Sequence, residues 1–153
     1  MKLPPDFRDL LEEFARAGVE HLIVGGYAFA FHARPRATKD LDILIEGSDE
    51  NRARAATALE RYGAPENVVT AVRALAETEV AYLGQAPLRI DILRSIDGCD
   101  PSTVFRDAVT ATWDDQDVRV ISLPDLIRNK RAAGRPQDLA DVTVLERVAE
   151  RKK

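Results

Sequence analysis

Cysteine is nearly absent from the 153-residue sequence, where Cys99 stands alone. An internal disulfide and any cysteine-rich zinc site are therefore excluded. The residue reads as an incidental loop or core thiol in a chain suited to a reducing, cytoplasmic compartment. Histidine is scarce as well, with only His21 and His32; His32 reads as a helix residue with a satisfied hydrogen bond rather than as a catalytic base. No apolar run approaches the roughly 18 residues that a membrane span requires. The opening MKLPPDF has no signal-peptide apolar core, so no membrane partner is expected. Positive charge is not in excess: the net charge is −4, and no overall basic field recruits nucleic acid. A local basic patch remains open, the dense candidates being the 34–39 loop and residues 128–135. Repeats, low-complexity segments and dividing linkers are missing too. With 45% apolar and 31% charged residues, the chain is expected to form one domain over 1–153.

What is present has a clear rhythm. Pro4 and Pro5 precede an amphipathic stretch, 7–17, that Gly18 stops. HLIVGG reads as a short buried strand broken by glycine, and YAFAFHAR as a helix beginning near Tyr27. ARPRATK is a basic loop, since Pro35 disfavours helix at Arg34. KDLDILIE alternates as a strand does, with Leu41, Ile43 and Ile45 on one face and Asp40, Asp42 and Leu44 on the other. A helix capped by Ser48 or Asp49 runs to Gly63. Strands are expected over 77–83 and 88–93 around a Gly84–Pro87 turn, and a short helix over 102–108. TATWDDQDVRVIS reads as a hairpin with DDQD as its turn. Two closing helices follow, the first started by Pro124 and ended by Gly134, the second running into the solvated tail RVAERKK. Strands interleaved with helices, some paired as hairpins, predict an α/β (α+β) fold with a mixed sheet and helices on its faces.

Three features then demand chemistry. Gly25-Gly26 sits where a strand meets a helix, Asp40 and Asp42 lie two apart on a strand, and Asp91 is centred in the apolar LRIDIL. Residues i and i+2 of a strand point to the same side, so the carboxylates of 40 and 42 project together. Held that close, they repel unless a cation lies between them. Oxygen ligands without cysteine favour a hard ion such as Mg²⁺, or Mn²⁺. A third carboxylate from an adjacent strand would complete a metal site suited to in-line attack on phosphorus. Glycines at a helix start let phosphates reach backbone N–H groups with no Cβ in the way.

Gly25-Gly26, thirteen intervening residues, Asp40-Leu41-Asp42-Ile43 and the later Ile90-Asp91-Ile92 together resemble the signature of the polymerase-beta-like nucleotidyltransferase superfamily. The wording VGGYAFAFHARPRATKDLDILI, with the closing LPDLIRNKRAAGRPQDLADVTVL, is similar to a small prokaryotic branch containing abortive-infection (type IV toxin–antitoxin) nucleotidyltransferases. Lys130, Arg135, Asp138 and Asp141 stand at that branch's typical places. The resemblance implies the nucleotidyltransferase fold: an N-terminal helix (1–20), a sheet core carrying the active site (21–122) and C-terminal helices packed beside it (123–153). It implies that Asp40, Asp42 and Asp91 bind the metals, with Asp91 helping to activate the acceptor hydroxyl. Gly25 and Gly26 would meet the triphosphate of an NTP substrate. Arg36, Thr38 and Lys39 would line the approach to the acids, and Lys130 would be a triphosphate-binding cation.

Each feature also has a plainer explanation. The glycines suit a tight turn, Arg36 or Lys39 suits an exposed acidic pair, and Arg89 suits Asp91. Lys130 through Asp141 suits interhelical ion pairs, and Tyr27, Phe29 and Phe31 suit packing. Two functions follow. One is a Mg²⁺-dependent transferase moving a nucleoside monophosphate from an NTP to a hydroxyl or phosphate acceptor (tRNA, protein or small molecule), with an antitoxin as a possible partner. The other is a non-catalytic module on the same fold that binds a nucleotide or a protein.

Overall fold

Proline opens and glycine closes the first helix, α1 (Pro5–Ala17), where Gly18 adopts φ +70°. Its apolar stripe, Phe7, Leu10, Leu11 and Phe14, is wholly buried. The computed structural model describes residues 1–85 and 88–153. Of the expected Gly84–Pro87 turn, Ala86 and Pro87 lie outside the described residues. Next come β1 (His21–Val24), α2 (Gly25–His32), β2 (Asp40–Ile45) and α3 (Asp49–Tyr62). The cap of α3 is Ser48, whose Oγ accepts the Asn51 N–H at 3.2 Å. The chain continues through α4 (Glu66–Arg73), β3 (Val80–Gln85), β4 (Leu88–Leu93) and α5 (Pro101–Asp107). It ends with β5 (Val109–Trp113), β6 (Gln116–Val120), α6 (Leu123–Ala133) and α7 (Pro136–Arg151).

The strands form one mixed sheet in the order β3-β4-β2-β1-β6-β5. β1 runs antiparallel to β2 and parallel to β6, and β2 runs parallel to β4. The two edges are the antiparallel pairs β3–β4 and β5–β6. Helix α1 packs on α3, α3 on α4, and α4 lies against β3. On the site side α2 packs on β1 and β2 and meets α6 and α7. The fold class expected from alternating elements is thus the one observed.

Local departures have local reasons. Helix α2 starts at Gly25, two residues before Tyr27. Helix α4 is additional to the elements expected from the sequence; its inward residues Val68, Val69 and Val72 are β-branched and disguise a helical spacing. Strand β3 begins at Val80 rather than at 77. The preceding residues are taken by a turn in which Glu79 accepts the Ala76 N–H through Oε1 at 2.8 Å. In the hairpin only Asp114 and Asp115 form the turn, at φ 48° and 64°, the left-handed pair that a two-residue connection needs.

Candidate active site

Strand pairing assembles the site. Val24, Asp42, Asp91 and Tyr82 stand in one row across β1, β2, β4 and β3. Neighbours in register point to the same face, so Asp42 and Asp91 are adjacent. Asp40, opposite Arg89 in the register, joins them from two residues earlier. At one end of the row Gly25 follows Val24 and opens α2. At the other stands exposed Tyr82. A cleft of about 970 Å³ covers this face, and all nine of Gly25, Gly26, Arg36, Thr38, Lys39, Asp40, Asp42, Asp91 and Lys130 line it.

The glycines answer to these neighbours directly. Gly25 has φ +67°, and a Cβ there would fall 2.0 Å from the Asp42 Oδ2. A Cβ on Gly26 would fall 2.6 Å from the Thr38 Oγ1. The bare backbone therefore makes room first for a carboxylate and a hydroxyl of the chain itself. Gly25→Ala is expected to cost about 1–2 kcal/mol in backbone strain alone and to push Asp42 out of the row. Thermal denaturation checks this; an alanine variant as stable as the wild type would show that Asp42 retreats freely.

Charge in the row is unbalanced. The Asp42 carboxyl is pushed up to about 7, first by burial, then by the charge of Asp91 and the hydrogen bond shared with it, then by Asp40; Arg89 opposes the rise. Arg89 donates Nε to Asp91 Oδ1 at 2.8 Å, and Nη2 both to Asp91 Oδ2 and to Asp40 Oδ2 at 3.2 Å. Its Cζ lies 4.8 Å from the centre of the Tyr82 ring. As the side chains stand, no group of three acidic, histidine or cysteine residues among the described residues is gathered closely enough to hold a metal ion. The donor chemistry nevertheless fits a hard divalent cation: three carboxylates stand on one face, Arg89 contacts two of them, and the third, Asp42, is raised chiefly by burial.

The opposite wall is an ion-pair network. Arg36 reaches Asp141 through Nη1 at 3.0 Å and Nη2 at 2.5 Å while lying 3.7 Å over the Phe29 ring. Lys130 Nζ lies 2.9 Å from Asp141 and 3.6 Å from Asp138. Arg135 Nε donates to Asp138 at 2.6 Å. Burial alone would raise the Asp141 carboxyl, but hydrogen bonds from Arg36, Lys130 and Gln137 outweigh it and hold it well below the usual carboxylate range. Arg36 and Lys130 therefore face the cleft already engaged, whereas Lys39 is exposed and makes no ion pair among the described residues. The ion-pair explanation of Lys130 through Asp141 describes what these side chains do here.

Outside the cleft, His32 Nε2 meets the Ile121 carbonyl at 2.7 Å and His21 Nδ1 the Val19 carbonyl at 2.8 Å. The Cys99 thiol is pushed up to about 11, chiefly by burial, which leaves little thiolate for nucleophilic attack. Tyr27 and Phe29 are core residues. Asn129 and Gln137 also line the cleft without any signal in the sequence, Arg135 is singled out there only by the resemblance and the basic stretch 128–135, and Arg89 is expected only to neutralise Asp91. The signal for Arg89 was available: it precedes Asp91 by two residues on a strand and so shares its face.

At the level of sequence, no protein-family model and no curated protein matches the chain. Solved structures do. The lincomycin-bound lincosamide antibiotic adenylyltransferase LnuA superposes with a TM-score of 0.63 at 15% identity, over 95% of this chain and 98% of that one. ANT(2")-Ia, in complex with adenylyl-2"-tobramycin, gives 0.58 at 15% identity over 94% and 90%. A Thermotoga maritima protein assigned to the nucleotidyltransferases gives 0.60 at 14% identity over 94% and 88%. Among the described residues, seven helices and a six-stranded mixed sheet make up the fold this chain shares with these nucleotidyltransferases.

Proposed function

We propose that the protein is a divalent-metal-dependent nucleotidyltransferase of the polymerase-beta-like superfamily. One observation carries the reading: the three acids that resemble the superfamily signature share one face of the sheet, with Asp42 beside Asp91, at the mouth of the α2 N-terminus. The N–H groups at Gly25 and Gly26 would receive the triphosphate, helped by the positive end of the helix. Among the described residues that line the cleft, Lys39 is a cation without an ion pair and would be free to approach it. Asp40, Asp42 and Asp91 would hold Mg²⁺ or Mn²⁺, which supplies charge neutralisation at the phosphates. The acceptor oxygen attacks the α-phosphorus, the bond to the bridging oxygen breaks, and pyrophosphate leaves. Asp91, farther along the row from the glycines than Asp42, would take the acceptor's proton. Positioning and electrostatics supply most of the acceleration.

Small hydroxylated molecules are the first acceptors to test, because two of the structural neighbours were solved with lincomycin and with an adenylylated tobramycin. The sequence resemblance adds tRNA and protein as further acceptors, and an antitoxin as a partner. Incubation with Mg²⁺ or Mn²⁺, α-labelled NTPs and each acceptor class is expected to label one class and release pyrophosphate. The second reading, a nucleotide-binding module without turnover, is favoured by Arg89, which occupies oxygens of two of the three acids. Absence of labelling, together with a melting temperature raised by nucleotide, would establish that module instead.

A further inference from the structure

The guanidinium of Arg89 bridges Asp91 and Asp40, two of the acids that the proposed cation would need. Its Nε and Nη2 occupy both oxygens of Asp91 and one of Asp40, at 2.8–3.2 Å. These are two of the three carboxylates that the proposed cation requires, and a monovalent guanidinium and a divalent ion repel each other at such range. Arg89 is not buried in place: its side chain is 40% exposed. It also has somewhere to go, since its Cζ already lies over the face of Tyr82, itself 53% exposed at the outer end of the row. An aromatic face attracts a guanidinium that has lost its carboxylates.

We propose that Arg89 is a positioning residue that exchanges places with the divalent cation. In the metal-free protein it holds Asp40 and Asp91 and offsets their repulsion. On loading it gives up their oxygens and withdraws over Tyr82, on the side of Asp91 away from the glycine turn. Metal entry is thus in competition with an internal cation, and Tyr82 is its resting place. The inference rests on the metal-site reading of the three acids.

The test is Mn²⁺ binding to the full chain without nucleotide, followed by the electron paramagnetic resonance of free Mn²⁺, for wild type, Arg89→Met, Lys39→Met and Asp42→Asn. Competition predicts that Arg89→Met binds Mn²⁺ about tenfold more tightly or better, the value of one charge-assisted hydrogen bond no longer opposing the ion. Lys39→Met removes the same charge from the same cleft but no carboxylate contact, and its gain should stay within about threefold. Circular dichroism and melting in EDTA show that each variant is folded. Arg89→Lys, which keeps the charge without the planar fork, should fall between wild type and Arg89→Met and covers the case in which the methionine variant does not fold. Equal Mn²⁺ affinity in wild type and Arg89→Met, with Asp42→Asn weaker than both, would overturn the exchange while leaving the metal site intact. A gain in Lys39→Met as large as in Arg89→Met would also overturn it, because net charge alone would then account for the effect. Failure of every protein, wild type included, to bind Mn²⁺ would end the metal-site reading and the exchange together.

Discussion

Asp42→Asn is expected to abolish the proposed nucleotidyl transfer and, in metal-free buffer at pH 8, to raise the melting temperature. Both effects have one cause. The carboxyl of Asp42 is pushed up to about 7 by burial and by the neighbouring acids, so forcing it to ionise costs the folded state free energy. Asparagine is nearly isosteric with the protonated acid and never ionises. Between about pH 4 and pH 7 the unfolded chain has released this proton while the folded protein keeps it. The folded state then binds more protons, and stability falls as pH rises through that window. The full effect is on the order of 2–4 kcal/mol, or about 5–10 °C for a chain of this size. Melting curves of wild type and variant should therefore coincide near pH 4 and separate by pH 8. Saturating Mn²⁺ should reverse the order, since the cation stabilises only a site that binds it. Transfer should drop by about a thousandfold or more, because a metal ligand in phosphoryl chemistry contributes several kcal/mol to the transition state. A variant that keeps full transfer would remove Asp42 from the chemistry. One that melts lower than wild type at pH 8 would remove the repulsion argument.

The second large effect lies across the cleft. Asp141→Ala is expected to destabilise the protein by about 3–5 kcal/mol, because it strips a buried network of its shared acceptor. Asp141 is 1% exposed and accepts from Arg36, Lys130 and Gln137. Removing it leaves Lys130, itself 8% exposed, with only the more distant Asp138 at 3.6 Å. It also frees the loop that Arg36 ties to α7. The expected fall in melting temperature is about 8–15 °C. The sign against pH is opposite to that of Asp42. The folded-state carboxyl is held below its ordinary value of 3.8, so its contribution is complete above about pH 4 and fades as pH falls further. A double variant, Asp141→Leu with Lys130→Met, should recover much of the loss, since replacing a buried ion pair by packed apolar groups is often neutral. Failure to recover would point to Arg36 as the partner that matters most.

The arrangement of the candidate site is partly legible in the sequence because strands expose their period plainly. The alternation of KDLDILIE places residues 40 and 42 together without any knowledge of the fold, and LRIDIL marks residue 91 as a carboxylate in apolar surroundings. Stop and start residues located most helices. Helix α4 was hidden because its buried residues are valines, whose local preference favours strand. The reason for Gly25 was also out of reach. It depends on how near β2 brings the Asp42 carboxylate to the start of α2, a distance between residues 17 positions apart.

Local pattern alone determined the mixed α/β character, the two glycines at a strand end, and the facing of each acid on its own strand, since those follow from periods of 2 and 3.6 residues within short windows. Whether the acids of β2 and β4 share a face was decided by their parallel register, which sets Asp42 against Asp91. Whether Lys130 and Arg36 reach the cleft free or paired was decided by the packing of α6 and α7 beside α2. Pairing and packing join residues far apart in the chain, and such contacts are selected by burial and charge balance over the whole molecule, which no short stretch of sequence contains.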